Sequence, residues 1–419
     1  MRETDNQPSA PAHKLALLGW YGSSNTGDEA VLEAIVSALR QRGIADIHAF
    51  SINPSKTAKL LSISSSTRNP FSPATLGTLR RSEALILGGG GLIQDRTSVY
   101  NLPLYALYVL IARILGLKVV GWGLGVEPLD TRLGKLLARF ICGSSARFSV
   151  RDDGARRLLV AAGVNSARIT VSADPAFLLE SPRGEDQPSR AATGGPADNG
   201  SKPVVVFCLR DLPDNRPGFN PHYLLPISLR RRLGFRLVGN TERTGAFITA
   251  LARAVRLCAQ ELGADVDFLA LWPGRDDAVI ARVILAAQAL GVPRDAMRVV
   301  EVPGSASHVV PVVRRADLLV SMRLHALVFA AGGGVPMLAL AYARKMRGVM
   351  RLLGAERWLV EVETEIPPPD EIEAKLRLLW AVRKHEGRRA SQAAAQARQR
   401  AEEDADAVAH ILLGAAATD

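Results

Sequence analysis

The stretch KLALLGWYGSSNTGDEAVLEAIVSALRQRG, residues 14–43, decides the fold. Residues 14–19 form a short apolar run that reads as a strand, and residues 20–27 a glycine-rich turn. Ala30, Val31, Ala34, Ile35, Ala38 and Leu39 then make one helical stripe, with Asp28 placed to cap it and Gly43 to end it. Strand, glycine turn and amphipathic helix are one β–α unit of a parallel sheet.

The unit repeats outward from there. Further strands are expected at 47–52, 84–87, 118–121, 147–150 and 169–172, with helices near 104–115, 131–141 and 152–163. Their strands are apolar with little alternation, as in a sheet covered on both faces. Residues 181–202 change character to Pro, Gly, Ser, Asp and Ala, and read as a flexible linker. Beyond it, strands are expected at 204–209, 267–271, 298–300, 318–321 and 336–341. Helices fall at 224–233, 246–262, 277–290, 307–315, after His325, and at 345–353. The expected architecture is α/β, two Rossmann-like domains at 13–180 and 203–360 facing across a cleft. Ile372, Leu376, Leu379 and Trp380 share one helical face, so 370–384 should dock on the body as a helix. Residues 385–419 are alanine-rich and charged with a thin apolar face, and are expected to be a partly ordered tail.

Composition sets limits. A chain of 419 residues with 47% hydrophobic and only 5% aromatic residues supports two cores built from Leu, Val, Ala and Ile. Cys142, Cys208 and Cys258 are widely spaced, which fits a reducing compartment and excludes a disulfide scaffold or zinc ribbon. Met1 to Ala12 lack the basic start and apolar run of a secretory signal. Arg113 and Lys118 interrupt the apolar stretch 102–120, and three glycines and Pro336 interrupt 324–340. A cytoplasmic protein is therefore expected. The net charge of +11 fits phosphorylated substrates, an anionic membrane face or plain surface solubility. Nucleic acid is disfavoured, since no zinc finger, aromatic-interleaved strand pair or recognition helix is visible.

Ligands of such sheets bind beyond the carboxyl ends of the strands. Gly22, Asn25, Gly27 and Asp28 lie in the first of those loops. It is neither a dinucleotide nor a Walker motif, yet its amides and helix start can meet an anion or sugar. Asp28 is either a cap or a substrate contact. Gly89, Gly90 and Gly91, with Gln94 and Asp95 beyond, suggest a second close approach of backbone to substrate. Arg151–Asp152 and Asp174–Pro175 read as caps or ion pairs between loops. Arg210 ends the first strand of the second domain and offers a fork for carboxylate or phosphate. After 318–321, an extended backbone would turn Arg323 and His325 together to the cleft and Leu324 to the core. His325 can then move a proton, and Lys345 adds positive charge at the same mouth. No spacing suggests a metal site. On these residues alone the chain reads as a two-domain transferase for an anionic donor. Arg210, Arg323 and Lys345 would be the donor contacts, and His325 the acid or base.

Six segments then carry a resemblance: residues 19–29, LGGGGLIQD at 87–95, SVRD at 149–152, ADP at 173–175, Arg210, and 322–336 with MRLHAL at its start. In this order they resemble the polysaccharide pyruvyl transferase family, of the CsaB type. The resemblance implies a glycosyltransferase-B-like fold, with phosphoenolpyruvate as donor and no further cofactor. It implies a saccharide acceptor, a lipid-linked cell-surface polymer precursor whose pyruvyl ketal anchors surface-layer proteins. The family's donor-binding arginines fall on Arg210 and Arg323, and its catalytic histidine on His325, with Asp28 placed to orient or deprotonate a sugar hydroxyl. Such an acceptor would hold the protein peripherally at the cytoplasmic membrane. Two departures touch the site. The family's Tyr-Asp-Pro-Lys-like stretch is Tyr342-Ala-Arg-Lys345, and Arg275 stands near where relatives carry a histidine. The rivals are a nucleotide-sugar-dependent glycosyltransferase on the same fold and a non-catalytic membrane-associated relative.

Overall fold

The computed structural model describes residues 14–95, 100–180, 202–212, 241–302 and 305–414. The expected linker, but for Lys202, and the helix expected at 224–233 lie outside them.

The first domain runs β1 (Leu15–Leu18), α1 (Thr26–Gln41), β2 (Ile47–Ser51), α2 (Pro54–Leu61), β3 (Ser64–Thr67), α3 (Pro73–Arg80) and β4 (Ala84–Gly88). It continues with α4 (Asn101–Ile114), β5 (Lys118–Leu124), α5 (Arg132–Ser144), β6 (Arg147–Val150), α6 (Asp153–Ala161) and β7 (Thr170–Val171). The strands form one parallel sheet in the order β3-β2-β1-β4-β5-β6-β7. Its central strands are apolar and fully buried, which is why they read clearly in the sequence. Strand β3 is Ser-Ser-Ser-Thr on the sheet edge, partly exposed, and carries no apolar signal. Sequence reasoning passed over it together with α2 and α3.

The second domain runs β8 (Val204–Cys208), α7 (Thr241–Arg256), β9 (Asp265–Leu269), α8 (Asp277–Ala289), β10 (Met297–Val300) and α9 (Val309–Arg314). Then follow β11 (Leu318–Ser321), α10 (Leu324–Gly332), β12 (Met337–Ala341), α11 (Arg344–Leu352) and β13 (Leu359–Glu361). This sheet is also parallel, in the order β10-β9-β8-β11-β12-β13. In both sheets the strand order reverses at the centre, between β1 and β4 and between β8 and β11. A crevice opens at each reversal. The two carboxyl edges face one another. The Thr26 amide donates to the Leu271 carbonyl at 2.8 Å, and Trp272 Nε1 to the Ser23 carbonyl at 3.2 Å.

The end of the chain corrects an expectation. The docking helix does not end at 384 but runs on through residues 385–413 of the expected tail as one 45-residue helix, α12 (Pro369–Leu413). Ile372, Leu376 and Leu379 bury against the second domain, and the helix then crosses to the first. Its alanines Ala390, Ala394, Ala397, Ala401 and Ala405 are all buried. Small side chains do not weaken this face; they let the helix axis lie close to the body. Polar clamps complete it. Arg147 and Ser149 Oγ donate to the buried Asp404 at 2.7 and 2.5 Å, and Arg42 pairs with Glu402 and Asp406 at 2.9 and 2.8 Å.

Candidate active site between the two domains

His325 owes its position to the end of β11. Ser321 Oγ takes the Arg323 amide at 2.9 Å and donates back to the Arg323 carbonyl, which ends the strand. Arg323 is the last extended residue (φ −104°, ψ 119°) and the N-cap of α10, so helix begins at Leu324. The extended alternation therefore stops one residue too early for Arg323 and His325 to point the same way. Arg323 turns back within its own domain. It grips Asp276 with Nε at 3.1 Å and with Nη2, both side chains nearly buried. His325 crosses to the first domain. Its Nε2, buried without a hydrogen-bond partner, lies 3.7 Å from Asp174 Oδ2. The other side of the ring lies against Gly27, where an added Cβ would come 2.0 Å from Nδ1.

The pKa values of two carboxylates beside this imidazole are displaced in opposite directions. Asp174 caps the turn after β7 through the Ala176 amide (3.0 Å) and accepts from Arg151 Nη1 at 3.1 Å. Burial would raise its pKa, but His325 and Arg151 outweigh that and hold it well below the usual carboxylate range. Asp28 goes the other way. Burial raises it, and the lowering effects of His325, the Asn25 hydrogen bond and Lys345 do not cancel the rise. Environments that drive neighbouring acids apart are how acid and base roles are separated. Of the two readings of Asp28, cap or substrate contact, the cap is not the one seen. Asn25 is the N-cap residue, and its Nδ2 donates at 2.6 Å to Oδ2 of Asp28, which lies in the first turn.

The second domain supplies positive charge around Tyr342, at the end of β12. Arg210 Cζ lies 4.2 Å over its ring and Lys345 Nζ 5.4 Å from it. Burial would raise this phenol, but Lys345, Arg210 and Arg323 bring it down to about 8. Arg210 also donates from Nε to the Asp211 carbonyl at 3.2 Å. Beside this group a cleft between the domains is lined by Arg151, Asp152, Asp174, Leu324 and Lys345, among others.

Other expected site residues are placed differently. The amides of Gly22 and Ser24 donate to Glu29, at 3.2 and 3.0 Å, so this loop does not offer them to an anion. Gly22 (φ +75°) lies so close to Ser51 and Asn53 that a Cβ would collide, and Gly89 (φ +54°) lies likewise against Val31. Both are packing glycines. Gly90 faces Asp28, and Gly91 opens to free space. Gln94 is buried. Asp95 accepts from the amides of Asp130 and Thr131 and from the Thr131 hydroxyl, at 3.0, 2.9 and 2.6 Å. It fixes the turn before α5.

Sequence reasoning missed Arg151 and Asp174, taken as caps or ion pairs, and Tyr342. Asp174 is indeed a cap and an ion-pair partner, but it also faces His325. It missed Arg68 as well. That guanidinium lies 4.7 Å over Trp20 at the first domain's crevice, with Nε and Nη1 buried and without hydrogen-bond partners.

Comparisons with known proteins agree with this architecture. The family model for polysaccharide pyruvyl transferase matches residues 25–344. A search of curated proteins finds no match. The chain is similar in structure to the UDP-GlcNAc 2-epimerase from Neisseria meningitidis bound to UDP-GlcNAc (TM-score 0.58, 9% identity, covering 96% of this chain and 100% of that one). It is similar to Anabaena HepE in complex with UDP and glucose (TM-score 0.56, 14% identity, 96% and 100% covered). It is also similar to a glycosyltransferase from Rickettsia africae (TM-score 0.57, 10% identity, 96% and 100% covered). At these identities the likeness concerns the fold alone, which is glycosyltransferase-B-like: two Rossmann-like domains facing across a cleft.

Proposed function

Since the chain belongs to the polysaccharide pyruvyl transferase family, we propose that it moves a pyruvyl group from phosphoenolpyruvate to a sugar of a lipid-linked cell-surface polysaccharide precursor. The product is a pyruvyl ketal, and phosphate leaves. The observation that carries this reading is the meeting of His325 with Asp174 and Gly27 across the domain joint, beside the cations around Tyr342.

In this reading Arg210 and Lys345 hold the carboxylate and phosphate of the donor. Arg323 commits its Nε–Nη2 edge to Asp276 and helps through the field it adds and through Nη1. His325 delivers a proton to the methylene carbon while one sugar hydroxyl adds to the neighbouring carbon. Asp174 Oδ2, 3.7 Å from Nε2, keeps the ring turned toward the domain joint for that transfer. Asp28, with its raised pKa, takes the proton of the attacking hydroxyl. A second hydroxyl of the same sugar then displaces phosphate. Of the two hydroxyl protons, one replaces the proton that became part of the methyl group, and the other leaves with phosphate. No cofactor beyond the two substrates enters this scheme. The lipid-linked acceptor brings the chain to the cytoplasmic membrane face.

The test is phosphate release from phosphoenolpyruvate with a saccharide acceptor, run beside nucleotide release from UDP-sugars. Acceptor-dependent phosphate release is expected. Nucleotide release without it would establish the rival glycosyltransferase reading instead.

A further inference from the structure

Two neighbouring helices of the first domain carry a surface that the site does not use. Helices α4 and α5 pack together on the sheet face opposite to the one that α1 and α12 cover. Their inward residues fill the core. Outward, Leu110 and Ile114 of α4 are 44% and 75% exposed, and Leu133 and Leu136 of α5 are 57% and 54% exposed. Scattered single exposed leucines are ordinary, but here four large apolar side chains stand exposed, two on each of a pair of packed helices. Arg113, Arg132, Lys135 and Arg139 of the same two helices are exposed and make no ion pair within the described residues. Neither helix contains an acidic residue.

The charge pattern selects the partner. A second copy of this chain, meeting face to face, would set these cations against their own equivalents without a counter-charge. An anionic lipid surface offers negative headgroups to these cations and an apolar layer to the leucines. Among the described residues no helix is long and apolar enough to cross a membrane, so contact here is with the surface. We propose that the α4–α5 face docks this protein on a membrane containing anionic lipid. Helix α4 follows the glycine loop 88–91, whose Gly90 adjoins Asp28. Docking therefore brings the sugar-facing domain to the plane in which a lipid-linked acceptor diffuses. The purpose of docking rests on the proposed acceptor; the docking itself does not.

The test uses the full chain, without substrate, sedimented with phosphatidylcholine vesicles that contain or lack phosphatidylglycerol. Binding is expected only with phosphatidylglycerol and should weaken as salt rises. The double variants L133E/L136E and K135E/R139E should each weaken binding by at least about tenfold, with melting temperatures unchanged because all four side chains are exposed. Failure of the parent to bind, or equal binding by the variants, overturns the proposal. So does conversion of an oligomer to a monomer by L133E/L136E, which would assign the face to a second copy. Phosphate release with a water-soluble acceptor is measured on the same preparations. Release without vesicle binding refutes docking alone, and vesicle binding without release refutes pyruvyl transfer alone.

Discussion

The imidazole of His325 rests on the Cα of Gly27, and the two residues belong to different domains. No side chain fits at position 27 without moving the ring, since a Cβ there would stand 2.0 Å from Nδ1. Gly27→Ala should therefore displace His325 while leaving α1 intact, alanine being the better helix former. A displacement of about 1 Å costs catalysis about 100-fold. The expected outcome is a kcat loss of that order with a melting temperature close to the parent's. Parental activity in Gly27→Ala would mean that the ring has no catalytic placement to lose.

Asp28 gives a stability prediction with a sign. Its folded pKa is raised, first by burial. The ionised form therefore costs the fold free energy. That cost is absent below the ordinary carboxylate range and is fully present once pH exceeds the raised value. Asp28→Asn should raise the melting temperature by a few degrees at high pH and by nothing in acid. It should also cut turnover by about 10²-fold or more, as expected for a lost base. Thermal melts across pH, set beside phosphate-release rates, check both halves.

Tyr342 should report on the cations around it. Its phenol is brought down to about 8, against burial, by Lys345, Arg210 and Arg323. A near-ultraviolet titration should show one tyrosine ionising near there, absent in Tyr342→Phe and shifted upward in Lys345→Met. A depressed acid stabilises the fold above its unfolded pKa and loses that contribution as pH falls through the folded one. Tyr342 should thus make stability rise with pH between about 8 and the ordinary phenol value near 10. Phosphoenolpyruvate binding would bring negative charge to the same cations and move the titration back up.

Arg147 and Asp404 join α12 to β6. Asp404 is 1% exposed and holds Arg147 at 2.7 Å. Arg147→Ala leaves that carboxylate buried with only Ser149 for company, a change that costs about 3–5 kcal/mol. Denaturant unfolding should show that loss. The double change Arg147→Met with Asp404→Leu should recover most of it, because no buried charge then remains.

The β–α alternation was legible because strands covered on both faces are written as unbroken apolar runs, as in β1, β4 and β12. It failed at β3, where an edge strand of serines is held by its ladder to β2 and by side chains such as Ser64 and Ser66, which bond the two nitrogens of His48. It failed again at α12. A row of alanines signals little hydrophobicity, yet close approach makes up in contact what each side chain lacks in area. In the site, His325 could be read from its strand-end position. Its neighbour Asp174 could not, being 151 positions earlier in the chain and already explained as a cap. Arg323 was read in the right place but in the wrong direction, because the register of a strand gives no notice of where the helix after it begins.

Helix α12 has a consequence for how the molecule is made. It is about 68 Å long at the usual rise per residue, and its second half covers β5 and the turn after β7. The residues that close over the first domain are thus synthesised after the whole of the second. During translation that domain waits with an apolar flank uncovered, although its own strands have already emerged. A nascent-chain arrest just before Ala390 should leave the first domain sensitive to protease. One placed after Leu413 should protect it, which makes the earlier half of this protein mature only once a helix encoded beyond its second domain has emerged.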